Sequence, residues 1–262
     1  MDPLATNETH SAATRPQSRS PMPARLDLMQ SLSGLFLGLF MWGHMFLVAS
    51  ILLGKNAMYA ITRFFEGYYF FGKSYPALVT AIVAFVLVVF VLHALLAMRK
   101  FPGNYREYRL MRQHKRDLRH TDTSLWFVQA YTGFALFFLG SVHLYIMLTN
   151  ADNIGPYASA DRVWSQYMWP LYLLLLLAVE FHGGIGLYRL AVKWGWFEGS
   201  DPARSRMWLQ RFKWALTIFL VTLGLLTLAA YIKIGIEHAD RVGERFEPLA
   251  AISMPFLNWP LS

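Results

Sequence analysis

The chain has 262 residues and a mass of 30.1 kDa, with 55% hydrophobic and only 15% charged residues and a mean hydropathy of +0.33. A soluble domain carries roughly 25% charged residues, so the composition excludes an ordinary cytosolic globule, a disordered tail and a collagen-like rod. The net charge of +8 does not by itself call for nucleic acid, because loop Lys and Arg also set membrane orientation.

Five apolar stretches predict transmembrane helices over 32–53, 77–98, 125–148, 167–188 and 214–232. At about 1.5 Å rise per residue each crosses a hydrocarbon core of about 30 Å. Residues 1–31 are polar and contain Pro16, Pro21 and Pro23, so the first apolar stretch lies too far in and runs too long for a cleaved signal peptide. The expected organisation is a cytoplasmic segment over 1–31, a five-helix membrane domain over 32–232 and a periplasmic tail over 233–262. All 24 Lys and Arg fall outside the five stretches, 17 on the side of the N-terminus and 7 on the other. That bias places the N-terminus in the cytoplasm and the C-terminus outside. No internal repeat is visible, which speaks against a transporter built from inverted halves.

Four of the 8 His lie within these stretches, one each in the first four: His44, His93, His143 and His182. A buried imidazole in lipid is costly unless something satisfies it. A lone one is satisfied as readily by a bond to a neighbouring helix as by a metal, but four at matched depths fit that account poorly. Counting back to the helix ends places His44 and His143 about 14 and 8 Å below the outer end, and His93 and His182 about 8 and 9 Å from the inner end. Two pairs on four helices, one above the other, suit two haems with two axial imidazoles each. With 0 Cys there is no thioether attachment, so such haems are non-covalent b-type groups. A non-haem metal fits less well, since its ligands converge on one point and only one acid lies in any span. The small residues Gly43, Gly140, Ser141, Gly183, Gly184 and Gly186 near the His can admit a flat ring, although they also serve plain helix packing. Donors for haem propionates stand at the inner helix ends in Gln30, Ser31, Trp126 and Lys193, and Arg162 can serve outside; a solvated or snorkelling role competes for each.

The strings GLFLGLFMWGHMF (34–46), HALLAMRKFPGNYREY (93–108), TGFALFFLGSVHLYIM (132–147) and MWPLYLLLLLAVEFHGGIGLYRLAVKWGWF (168–197) closely resemble the dihaem cytochrome b subunit of bacterial menaquinol:fumarate reductases, relatives of the succinate:quinone oxidoreductases. The likeness runs from about Pro23 to about Tyr231 and includes all four His. It implies an all-α integral membrane subunit of the bacterial inner membrane, whose five transmembrane helices form a bundle holding two stacked haem b groups. It further implies menaquinol as substrate, and an iron–sulfur subunit and an FAD-bearing flavoprotein subunit on the cytoplasmic face that carry out fumarate reduction. A dimer of such heterotrimers is a further expectation.

Two acids stand out. Glu180, two residues before His182, is the one charged-type side chain inside the five stretches, and i and i+2 face different sides of a helix, so it is not expected to ligate the same iron. A proton relay and a structural bond to a neighbouring helix are its two readings. Glu66 lies in the outer connection, within RFFEGYYFFGKSYP, where an aromatic setting and a proton acceptor suit quinol oxidation; its other reading is a surface charge balancing Arg63 or Lys73. The basic run RKFPGNYREYRLMRQHKRDLRH faces inward and suits anionic lipid or a soluble subunit. Neither a flavin fingerprint nor cluster ligands occur here, so electrons leaving an inner haem need a docked iron–sulfur partner. A dihaem subunit of a hydrogenase or formate dehydrogenase and a haem-free transporter or anchor are the competing functions.

Overall fold

The computed structural model describes residues 20–118 and 121–248, except the side chains of 114–123. The two ends of the chain, within the expected N-terminal segment and C-terminal tail, and the end of the basic run lie outside the described residues. Helix α1 (Met22–Val48) continues through a 3-10 turn (Ala49–Leu53) to the short helices α2 (Lys55–Phe65) and α3 (Tyr68–Phe71). There follow α4 (Pro76–Met98), α5 (Tyr105–Leu118), α6 (Thr121–Thr149), α7 (Pro156–Val163), α8 (Trp169–Lys193) and α9 (Pro202–Glu237). No strand occurs among the described residues.

Helices α1, α4, α6, α8 and α9 are long and apolar enough to cross a membrane. Proline stands in the first turn of each except α6, where its missing N–H costs nothing and its fixed φ suits helix entry. Outward-facing Phe85, Ile218 and Phe219 make the surface apolar, the reverse of a water-soluble bundle.

The first and last of these helices overrun the stretches that hydropathy marks. Asp201 caps α9 by accepting the backbone N–H of Arg204 at 3.1 Å, so the helix begins ahead of its apolar part and carries Arg204, Arg206 and Arg211 before Lys213. Its 36 residues span about 54 Å, more than a bilayer core needs. A helix requires backbone hydrogen bonds, not grease, and hydropathy therefore underestimates its length.

Contacts link α1 to α4, α4 to α6, α6 to α8 and α8 back to α1, closing a ring of four helices; α9 packs outside it, mainly against α8. Each of the four ring helices carries one of the four apolar-segment His. The end where α1 begins is called the N face below, and the end bearing α2, α3 and α7 the C face.

Candidate functional site

One cavity of about 1040 Å³ runs along the inside of the ring, larger than the roughly 300–1,000 Å³ of an ordinary small-molecule pocket. All four imidazoles line it. They meet across the diagonals: His44 of α1 and His143 of α6 have ring centroids 6.2 Å apart, and His93 of α4 and His182 of α8 are 6.4 Å apart. A metal bound at about 2 Å from one nitrogen of each imidazole separates the centroids by about 6 Å, so the donor set fits an iron between the members of each pair. Among the described residues no three His, Cys, Asp or Glu side chains converge on one point.

The N-face pair is also oriented for ligation. His182 Nδ1 donates to the carbonyl of Gln129 at 2.8 Å, which leaves Nε2 with its lone pair. His93 Nδ1 lies 3.0 Å from Ser33 Oγ, and that hydroxyl donates to the carbonyl of Gln30 at 3.1 Å, so it accepts from Nδ1 and again frees Nε2. Glycines on the facing helices admit both rings: a Cβ on Gly34 would stand 2.9 Å from His93 Cε1, and one on Gly133 2.7 Å from His182 Cε1. In the C-face pair His143 Nδ1 is buried without a partner among the described residues, and His44 stacks on Phe40 at 5.9 Å.

Donors for carboxylates stand at both ends of the cavity. Gln30, Ser31, Trp126 and Lys193 line its N-face end, and Gln30 Oε1 is buried without a partner among the described residues. Lys193 donates to Ser31 Oγ at 2.9 Å and to Asp27; Lys100, also lining the cavity, donates to the other Asp27 oxygen at 2.5 Å. At the C-face end Arg162 is 5% exposed, donates to the carbonyl of Asn153 at 2.9 Å and pairs with no carboxylate among the described residues. A buried guanidinium whose partners are the Asn153 carbonyl and the Tyr172 hydroxyl, with no carboxylate among the described residues, suits an anionic ligand group.

A family model described as "Succinate dehydrogenase/Fumarate reductase transmembrane subunit" matches residues 105–224. The chain is 55% identical over 233 residues to the fumarate reductase cytochrome b subunit of Wolinella succinogenes, covering 89% of this chain and 91% of that one. It is 50% and 49% identical to the same subunit from two strains of Helicobacter pylori, over 89% of this chain and 90% of each relative. The chain belongs to the fumarate reductase cytochrome b subunits.

In this cytochrome b subunit the two acids sit apart from the His pairs. Glu180 is fully buried with both carboxyl oxygens unpartnered among the described residues, and it does not line the cavity that His182 lines. One turn to either side of it, Leu176 meets Gly224 and Gly184 meets Thr217, so Glu180 lies at the α8–α9 contact. Glu66, at the C-cap of α2, is 5% exposed and accepts from Arg63 Nη1 at 2.9 Å, and that nitrogen also donates to Ser74 Oγ at 2.5 Å. Glu66 is thus paired with Arg63, and its carboxylate is buried. Burial opposes the Arg63 charge, but Tyr59 and Glu66 outweigh it and raise the guanidinium pKa above its ordinary value. Gly67, at φ 78°, turns the chain directly after Glu66. Glu66 does not line the cavity, although Met58, Ile61, Thr62 and Phe65 of the same helix do.

Sequence reasoning missed Asp27, Lys100, Ser33, Gln129, Gly34 and Gly133. The last four lie on the helix facing the His they serve, so local spacing carries no mark of them. Of the small residues singled out in the sequence, Gly43 faces open space, while Gly140, Gly183, Gly184 and Gly186 meet Phe90, Met41, Thr217 and Gln129.

Proposed function

We propose that this chain is the quinol-oxidising, electron-conducting membrane subunit of a menaquinol:fumarate reductase, holding one haem b between His44 and His143 and another between His93 and His182. The observation that carries the reading is the single ring cavity with two diagonal imidazole pairs about 6 Å apart. When bound, the haems supply two one-electron carriers spaced along the bundle. Ser33 and Gln129 hold their imidazoles in the ligating tautomer. Arg162 at one end and Gln30, Ser31, Trp126 and Lys193 at the other bind propionates.

Positive-inside logic makes the N face cytoplasmic and the C face periplasmic in a bacterial inner membrane. Menaquinol docks at the C face beside Thr62 and Phe65, and Glu66 takes up protons as the quinol gives up two electrons and two protons. Exposed Arg106, Arg109 and Arg112 on α5 suit docking of the iron–sulfur subunit, which passes electrons to the FAD of the flavoprotein subunit, where fumarate is reduced; two heterotrimers make the full assembly. The test is the purified complex with a naphthoquinol donor. Quinol should reduce both b-type centres and drive fumarate reduction. Dye-driven fumarate reduction with no quinol-driven turnover would overturn the reading.

Two electrons moving from the C face to the N face run against a negative-inside potential, at about 2.3 kcal/mol per charge per 100 mV. A proton moving inward with each electron cancels that charge movement, and Glu180 is the station we assign to it. Glu180→Gln should slow quinol-driven fumarate reduction about tenfold or more, each factor of ten being about 1.36 kcal/mol of barrier. Dye-driven fumarate reduction should stay near wild type. Loss of both activities together with haem would assign Glu180 to structure instead.

A contrast between glycines tests the seating of the N-face haem. Gly133→Val places methyl groups against the His182 ring and should cost that haem, as overpacking typically costs 1–3 kcal/mol. Gly43→Ala, which faces open space, should leave the haem content at wild-type level. Haem-to-protein ratios of the two purified variants check both outcomes.

A further inference from the structure

The C face contains a second buried histidine site that none of the chemistry above uses. His238, at the C-cap of α9, is 1% exposed, and its Nδ1 donates to Asp161 Oδ1 at 2.8 Å. Asp161 is itself 4% exposed, and its other oxygen accepts the backbone N–H of Gly243 at 3.0 Å. The imidazole lies flat on Tyr157, with centroids 4.1 Å apart and planes 11° apart. Tyr157 and Asp161 are one turn apart on α7, so α7 grips His238 with two residues of one face. Gly235 allows the close approach, because a Cβ there would meet Trp164 and the carbonyl of Ala160.

Helix α7 has eight residues, too short to hold itself in place, so its position depends on what it packs against. The residue after Asp161 is Arg162. Successive helical residues point about 100° apart, so a helix held by Asp161 against α9 turns Arg162 another way, and Arg162 lines the ring cavity. There it faces Tyr172, which packs edge-on against His143 with centroids 5.7 Å apart. A continuous set of contacts therefore runs from His238 through Asp161, Arg162 and Tyr172 to an imidazole of the C-face pair.

We propose that Asp161 and His238 form a latch that holds Arg162 at the C-face end of the cavity, beside Tyr172 and His143, and thereby sets the midpoint potential of a haem bound there. The proposal rests on the reading that His44 and His143 hold a haem. A guanidinium near the iron favours the reduced form, which carries one positive charge fewer, so withdrawing it lowers the potential. Asp161 and His238 are positioning residues, since neither lines the cavity.

The experiment is a spectroscopic redox titration of the purified complex, resolving its two b-type centres. His238→Ala should shift the potential of the C-face haem downward, in the direction that Arg162→Gln shifts it, and leave the N-face haem unmoved. His238→Asn, which keeps a donor at the position of Nδ1, should restore the wild-type value. In an Arg162→Gln background His238→Ala should add no further shift. Should His238→Ala fail to assemble, His238→Gln keeps the bulk, moves the donor away from Asp161 and should show the same downward shift. The latch is overturned if the replacement that assembles leaves both potentials unmoved, moves both alike, or adds fully to Arg162→Gln. If Arg162→Gln itself moves neither potential, or the wild type holds fewer than two b-type centres, the underlying reading of the site fails instead.

Discussion

Replacing any one of His44, His93, His143 or His182 with Ala should remove or convert one of the two b-type haems and leave the other. The expectation follows from the diagonal pairing: each haem depends on two helices of the ring, and the two pairs share none. On that pairing, losing His93 should cost the haem proposed for His93 and His182 and spare the one proposed for His44 and His143. Haem counting and reduced-minus-oxidised spectra of the four variants should therefore fall into two classes, His44 with His143 and His93 with His182. If any one of the four can be lost with both bis-His spectra intact, the assignment is wrong at that position.

Glu66→Gln should abolish menaquinol oxidation while both haems remain bound and chemically reducible. The amide keeps the shape of the side chain and can still accept from Arg63, but it no longer takes up a proton. Positioned general bases contribute roughly 10²–10⁴-fold, so a fall of about a hundredfold or more is expected in quinol-driven fumarate reduction. Fumarate reduction by a soluble dye donor should stay at the wild-type rate. Unchanged quinol oxidation would leave the Arg63–Glu66 pair a structural bond and move proton uptake elsewhere on the C face.

Much of the architecture was legible because lipid leaves few options. Five apolar stretches read as five helices, since a chain in hydrocarbon must satisfy its own backbone. The partners, His44 with His143 and His93 with His182, follow from matched depths along the rise per residue; that each pair lies across a diagonal of the α1–α4–α6–α8 ring does not, because which helices neighbour one another is a tertiary fact. Asp27 escaped notice for a related reason. It was expected to lie in a polar leading segment, whereas α1 begins at Met22 and carries Asp27 to Lys100 and Lys193, 73 and 166 residues away. His238 looked like a tail residue because its partner Asp161 lies 77 residues earlier in the chain. Small residues beside each His proved a poor guide, since a helical glycine makes room for what faces it from another helix. Gly34 and Gly133 do that for His93 and His182, while Gly43, beside His44, faces nothing within 4 Å.

The most direct test of the account is the number and spin state of haems bound to this chain in the purified complex. Protohaem should be found at two per chain by pyridine haemochrome analysis. Low-temperature electron paramagnetic resonance of the oxidised complex should show both as low-spin, as two imidazole ligands on each iron require. Fewer than two haems per chain, or a high-spin signal from either centre in the intact complex, would contradict the two-pair site.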